Sequence, residues 1–422
     1  MNILLRITIL ALVLLASHRA SGFNGPYPEN KNAVEIGDHC WYTILSEEEK
    51  TAAFVGIDCG YVAETYTVPP YVKFPDHGDA EYRVVEIGAE AFSFSMPRNP
   101  MMYYFMNDYG TGCVYCELNS ASIPETVTGI GAKAFSGVFG DGFKEFRFPE
   151  GVNEIGEGCF YWSFGVEHII LPSKIKKIPV NFAAMCKNLK ECDIPDEVEE
   201  IGAYAFKRCN SLEKVYIPAS VKKIGVDAFT ALLNIEKFEV DPANEHYIAP
   251  DGILLDKEGK TLIAWPFKRT DVVIPEGVET MQGKTLDLAF DLFESIDLPS
   301  TLKSVPDIGF LRDTGLKRIY VRADVPPAYE GDGKYPLFDE NVYDRATLYV
   351  PANSIEDYKA HTEWGKFRNI ESLTLDAVEE IDAEEPASAD AEYFTLDGKK
   401  AAPAEGEILI RRRNGKAEKV IL

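Results

Sequence analysis

The side chains of this 422-residue chain best suited to metal, redox or nucleophilic chemistry are eight cysteines and six histidines. Cys113-Val114-Tyr115-Cys116 is a CxxC pair. A metal site normally needs a second such pair, and the chain has none. The pair reads as a local disulfide, with free thiols as the next alternative and metal or redox chemistry behind both. His18, His39, His77, His168, His246 and His361 are scattered, with no HExxH or other ligating spacing. There is no GxSxG elbow and no glycine-rich phosphate loop. Asp241, Asn244 and Asp251 form a loose set of oxygen ligands whose spacing fits no EF-hand loop and suits a turn better. In a chain this acidic, neighbouring carboxylates need no catalytic explanation. The expectation is a protein that is not an enzyme, with no catalytic residue, no cofactor and no metal site.

Composition narrows the partners. Asp and Glu number 68 against 43 Lys and Arg, a net charge of −25. Such a chain is poorly suited to nucleic acid or to an anionic membrane. Its 46% hydrophobic content is that of an ordinary folded protein. The first residues read as a processing signal: a basic start to Arg6, an apolar run Ile7 to Ala16 too short to span a bilayer, and Ala20-Ser21-Gly22 as a cleavage site. Residues 1–22 are therefore expected to be a signal peptide, with export to the cell surface or beyond. No cysteine near residue 23 supports a lipid anchor, and no other stretch reads as a transmembrane segment.

The elements that position all other side chains are repeats. Ile194-Pro195, Val198, Ile201-Gly202, Ala205-Phe206, Cys209 and Leu212 make one unit, which restarts at Ile217-Pro218, 23 residues on. Related units open at Ile123-Pro124, Phe148-Pro149, Leu171-Pro172, Ile274-Pro275 and Leu298-Pro299, and Ile87-Gly88 with Ala91-Phe92 marks a degenerate first one. Phe182-Ala183 reverses the usual order, and Pro179 and Pro306 stand where other units have Gly. A period of this size predicts a repeat solenoid, since one unit buries too little apolar surface to fold alone. The run before each Ile-Pro alternates with period two, as in Lys214-Val215-Tyr216-Ile217, and predicts a strand of a parallel sheet. Pro ends that strand, and Gly permits a tight corner and close approach of a neighbouring coil. Cys186 and Cys209 share one repeat position, so their side chains run parallel and suit burial as free thiols better than a bridge.

The pattern Ile-Pro, Val, Ile-Gly, Ala-Phe, Cys, Leu resembles the BspA-like leucine-rich repeat of bacterial surface proteins. The resemblance implies a leucine-rich-repeat-like fold, mainly β with short turns or helical corners and β-caps at both ends. Trp41-Tyr42-Thr43-Ile44-Leu45 with Lys50-Thr51-Ala52 looks like the family's N-terminal cap, placing that cap at 23–84. The repeats would then occupy 85–322, interrupted by an insertion at 93–122 and a hairpin insertion at 241–270. Thr347-Leu348-Tyr349-Val350-Pro351, Tyr358 and Trp364-Gly365-Lys366-Phe367 look like the closing cap, within 323–370. Residues 371–392 are acidic and Ala-rich and read as a linker. In 393–422, alternating apolar residues with Gly-bearing turns predict three short strands. This tail resembles the C-terminal sorting tails of exported Bacteroidetes proteins.

The surface left for function is the sheet face. Outward positions of successive strands are Glu145 and Arg147, His168 and Ile170, Glu191 and Asp193, Lys214 and Tyr216, Lys237 and Glu239, Ser295 and Asp297, and Arg318 and Tyr320. Extended faces of this kind bind macromolecules, and Ile170, Tyr216 and Tyr320 are the candidate anchors. The apolar run Met101-Met102-Tyr103-Tyr104 in the first insertion is a second candidate, packing on the repeats or binding a partner. The resemblance implies adhesion to a protein or glycan ligand without catalysis. A structural or assembly role in the bacterial envelope is the alternative.

Overall fold

The computed structural model describes residues 32–37, 40–57, 65–93, 119–137, 143–269, 272–286, 293–306, 315–331, 336–373, 392–394, 400–401, 408–413 and 416–421. The chain divides into two compact units, Met1–Ser372 and Leu373–Leu422. The expected signal peptide, the CxxC pair, Cys59, Met101, Met102, Tyr103 and Tyr104, and nearly all of the acidic linker lie outside the described residues.

The repeats of the first unit contribute two short strands each, except that a single bridge at Glu191 stands for the first strand of the repeat at Ile194. The run before Ile-Pro forms the expected parallel ladder: Glu145–Arg147 pairs with His168–Ile170, a bridge joins His168 to Glu191, and Val215–Ile217 pairs with Phe238–Val240. A second ladder, not foreseen from the sequence, runs through the residues before the corner. It pairs Ile87 with Ile130 and Ile130 with Ile155, then Ile178 with Ile201 and Ile201 with Ile224. These strands are two residues long where the repeats are most regular, as at Lys177–Ile178, too short for an alternating pattern to show. The corners between the ladders are turns, not helices.

The corner glycines are there for proximity. A Cβ on Gly225 would lie 2.3 Å from Ala203 N, and one on Gly156 2.3 Å from Ala132 N. Neither glycine has a positive φ. The left-handed conformation falls two residues later, at Glu90, Lys133, Gly158, Asn181, Tyr204 and Asp227, with φ between 53° and 64°. It recurs four residues further on, at Gly137, Trp162, Met185, Arg208 and Ala231. The expected tight corner is thus made mostly by side-chain-bearing residues, with Gly only at 137 and 158, and the Ile-Gly glycine serves the close approach of the preceding repeat.

Apolar side chains from both ladders point inward, where Phe54, Phe92, Phe135, Phe160, Phe182, Phe206 and Phe229 form a continuous column with ring centroids 4.9–6.0 Å apart. The reversed Phe182-Ala183 pair keeps the column intact. Its ring meets Phe160 and Phe206 edge-on, at 81° and 74°, whereas Phe206 and Phe229 lie parallel at 1°. Cys159, Cys186 and Cys209 are buried free thiols of the same core. The Sγ atoms of Cys186 and Cys209 donate to Phe160 O and Ala183 O, 2.9 and 3.1 Å away.

The segment after Asp241 contains three strands, Tyr247–Ile248, Leu254–Asp256 and Thr261–Ala264, paired antiparallel. The last also pairs parallel with Thr280–Met281, so the insertion itself carries the ladder into the next repeat. It lies between two hydrophobic clusters, one running from Cys40 to Ala264 and the other from Ile253 to Phe367. Beyond it, Val272–Val273, Ser295–Leu298, Arg318–Val321, Thr347–Val350 and Asn369–Ser372 form a five-stranded parallel sheet.

At the start of the unit, Val34–Glu35, Cys40–Ser46 and Thr51–Ile57 form an antiparallel meander, and Thr51–Ile57 then pairs parallel with Glu81–Ile87. The expected 93–122 insertion ends inside the fold, because Ser120–Ser122 pairs parallel with Thr65–Thr67. Near the other end, two short helices, Glu340–Arg345 and Ile355–Ala360, flank Thr347–Val350. Buried Tyr358 and Trp364 donate to Ala323 O and Pro327 O, each at 2.8 Å. The second unit is an antiparallel sheet of four strands, not the expected three, in the order Lys400–Ala401, Glu392–Phe394, Ile408–Arg413, Lys416–Ile421. The pair Lys400–Ala401 is too short to have been read from an alternating pattern. Among the described residues, no helix is long and apolar enough to cross a membrane.

Candidate recognition face

The ladder before Ile-Pro sets the outward side chains in rows because parallel pairing aligns equivalent positions. Glu145 stands opposite His168, and His168 opposite Glu191; Arg147 stands opposite Ile170, and Tyr216 opposite Glu239. In the second half, Ser295, Arg318 and Thr347 form one row, and Asp297, Tyr320 and Tyr349 the next. Glu145, Arg147, Lys214, Tyr216 and Arg318 are exposed, while His168, Ile170 and Tyr320 are half-buried.

The three candidate anchors differ. Tyr216 is 44% exposed, and its hydroxyl donates to Asp241 Oδ2 at 2.7 Å. That bond holds the phenol above its ordinary pKa and the Asp241 carboxyl below its own. Tyr320 is stacked on Tyr349, centroids 4.9 Å apart and planes 19° apart, and burial raises its phenol pKa. Ile170 is half-buried and stands opposite Arg147. Of the three, Tyr216 alone is exposed. Tyr349 and Asp241 belong to the same surface and were missed. Tyr349 sits one strand further along the row of Tyr320, a relation that only register reveals.

The charged residues beside these rows are largely paired with one another. Glu191 lies 3.5 Å from His168 and 3.6 Å from Lys214. Glu167 lies between Lys144 and Lys190, at 3.7 and 2.5 Å. Along the other ladder, Glu200 lies between Lys177 and Lys223, at 3.4 and 3.2 Å. Opposite charges thus alternate at one position through three successive repeats. The bond from Lys190 holds the Glu167 carboxyl below its ordinary pKa, and that from Lys223 does so for Glu200.

Of the residues first considered for chemistry, Asn244, Cys159, Cys186 and Cys209 have structural tasks. Among the described residues, no group of three or more His, Cys, Asp or Glu side chains is placed to hold a metal ion. Asn244 is fully buried: its Nδ2 donates to Pro218 O and Val221 O at 2.7 and 3.0 Å, and its Oδ1 accepts from His246 N and Tyr247 N, both at 2.8 Å. It ties the three-stranded insertion to the repeat before it. Burial pushes the Cys186 thiol up to about 12 and the Cys159 and Cys209 thiols well above their ordinary value, which keeps all three protonated and unreactive.

Parallel ladders built from a 23-residue apolar repeat, with corners of irregular turn, are a fold of the leucine-rich-repeat type. Residues 112–236 match, in six copies, the family model described as BspA type Leucine rich repeat region. That stretch of the chain is a BspA-type leucine-rich repeat region. No curated protein matches the chain. Among solved structures, the chain is similar to a leucine rich cell surface protein from Faecalibacterium prausnitzii A2-165, with 20% identity, 82% of this chain and 96% of that one covered, and a TM-score of 0.48. It is also similar to the pneumococcal vaccine antigen PcpA, with 16% identity, coverages of 81% and 99%, and a TM-score of 0.48. A leucine-rich repeat protein from Bacteroides ovatus ATCC 8483 shares 18% identity over 76% of this chain and 80% of its own, with a TM-score of 0.36.

Proposed function

We propose that this chain is an exported, non-catalytic recognition protein that binds a protein or glycan macromolecule at the cell surface. In this reading the repeats stack as a solenoid, the meander before Glu81 and the segment after Asp324 close its two ends, and residues 393–422 act as a sorting tail. The observation that carries the reading is the alignment of outward side chains in register, with Glu145, Arg147, His168, Ile170, Lys214 and Tyr216 toward one end and Arg318 and Tyr320 toward the other. Extended rows of this kind offer many contact points to a large partner. The anchor is Tyr216, the exposed aromatic of the row.

The reading is tested by retention of host matrix proteins or bacterial envelope proteins on the immobilised mature chain, compared with a Tyr216→Ala, Arg147→Ala variant. Retention of matrix proteins that the variant loses supports adhesion. Retention of envelope proteins alone moves the assignment to assembly of the envelope. Equal retention by the variant removes the sheet face as the binding surface. Deleting 393–422 tests the tail: unchanged surface exposure of the truncated protein contradicts a sorting role.

A further inference from the structure

We propose that the antiparallel sheet of the second unit, whose strands lie between Glu392 and Ile421, docks on an anionic lipid surface through one of its two faces. Residues 393–422 hold seven Lys and Arg against four Asp and Glu, in a chain that carries −25 overall. Residues 371–392, just before, hold nine Asp and Glu and no Lys or Arg. The excess of cations therefore begins with this sheet. Charges are screened beyond about 8 Å at physiological ionic strength, so the net charge of the whole chain does not decide what this sheet meets. Three of the cations, Arg411, Arg412 and Arg413, are consecutive on Ile408–Arg413. That strand is an inner one, between Glu392–Phe394 and Lys416–Ile421. Protection of a sheet edge, a common use of lysine, therefore does not account for them.

Register sorts the positions onto two faces, since alternate residues of a strand fall on opposite faces and paired residues share one. Lys400, Phe394, Ile410 and Lys419 form one row across all four strands. On the same face, Ile408 pairs with Ile421 to one side of that row, and Arg412 with Glu392 to the other. An apolar patch of four positions is thus bordered by lysine on both outer strands, and the face carries three cations to one carboxylate. On the opposite face the cations Arg411, Arg413 and Lys416 gather at one end, with Glu418 paired to Arg411. An apolar centre with a cationic border suits the boundary of an anionic bilayer, where apolar area and attraction to headgroups together hold an amphipathic segment. The size of the face points the same way. Four strands about 4.8 Å apart and six residues at about 3.4 Å each give it roughly 300 Å², against the ~800 Å² per partner of a stable protein interface. A lipid surface needs no shape-matched epitope of that area. Among the described residues of this unit there is one sheet and no second layer to pack on it.

The test uses the mature chain and vesicles of phosphatidylcholine, alone or mixed with phosphatidylglycerol, read by co-sedimentation. Two double variants make the same change of net charge on opposite faces: Lys400→Glu with Lys419→Glu, and Arg413→Glu with Lys416→Glu. The expected result is binding to the phosphatidylglycerol vesicles and none to phosphatidylcholine alone. That binding should weaken about tenfold or more in the first double variant and less than about threefold in the second. Inorganic phosphate at constant ionic strength should not displace it. Binding to neither vesicle, equal binding to both, equal loss in the two double variants, or displacement by phosphate would overturn the proposal. If hydrogen exchange shows that a charge reversal has opened residues 408–421, the neutral pairs Lys400→Gln with Lys419→Gln and Arg413→Gln with Lys416→Gln decide the same comparison. Vesicle binding by the purified chain involves no export machinery and no partner of the repeats. Its failure therefore leaves the sorting and sheet-face readings standing, and their failure leaves it standing.

Discussion

Gly225 and Arg208 show how differently two corner residues can be constrained. Gly225 needs no unusual dihedral, yet a single added methyl would enter the backbone of the preceding repeat at 2.3 Å. Gly225→Ala is expected to destabilise by about 3 kcal/mol, since the atoms it would meet are backbone and not the end of a movable side chain. Gly129→Ala, whose Cβ would meet only the Glu86 side chain at 3.7 Å, is expected to cost under about 1 kcal/mol. Urea denaturation of the two variants separates these outcomes. Arg208, at φ 59°, has the opposite problem. Arg208→Asn should leave stability unchanged or raise it slightly, and Arg208→Val should lower it by about 1–2 kcal/mol. The Ile-Gly and Ala-Phe positions were legible in the sequence because they recur. The left-handed positions were not, because Glu90, Lys133, Asn181, Tyr204 and Asp227 share a backbone conformation and no side-chain chemistry.

At the scale of elements, stability depends on how successive repeats are joined. The insertion after Asp241 is fastened by Asn244, whose four hydrogen bonds are all inside the protein. Asn244→Ala leaves two amides and two carbonyls without that partner and is expected to cost about 3 kcal/mol or more. Hydrogen exchange should then report early opening of residues 247–264. The charge ladders are a weaker coupling. Exposed pairs contribute little singly, but Glu200→Lys would put Lys177, residue 200 and Lys223 in one like-charged column. The melting temperature of that variant should fall, and fall further at low salt. The pH dependence follows from the same pairs. Glu167, Glu199, Glu200, Glu279 and Glu294 are held below the ordinary carboxylate value of 4.5 by hydrogen bonds from Lys190, Lys222, Lys223, Lys303 and Lys317. A carboxyl whose folded pKa is depressed stabilises fully above its unfolded value. That contribution is lost as pH falls through the lower folded one. Thermal stability is therefore expected to be level above about pH 5 and to decline below about pH 4.5, and a melting curve that rises on acidification would contradict the assignment.

For the whole molecule, periodicity made the repeat legible and register made its surface specific. Apolar spacing predicted the parallel ladder before each Ile-Pro, and with it which residues flank the inward one. It did not show that Tyr320 would be covered by Tyr349 or that Tyr216 would bond to Asp241. Those contacts join residues of different strands, and a linear pattern carries no record of which strand lies alongside. The two tyrosines consequently have different costs. Tyr216→Ala removes an exposed hydrogen bond and should leave the melting temperature nearly unchanged, whereas Tyr320→Ala loses a stacked ring contributing about 0.5–1.5 kcal/mol. Binding is best probed at Tyr216. The central claim is that a macromolecular partner lies along the outward rows of the sheet. The most direct measurement is hydrogen-exchange and side-chain footprinting of the mature chain, alone and with the partner retained on it. The account predicts protection at 145–147, 168–170 and 214–216, with the corner turns at 203–208 and 226–231 unchanged. Protection confined to those turns, with the sheet rows as accessible as in the free protein, would contradict it.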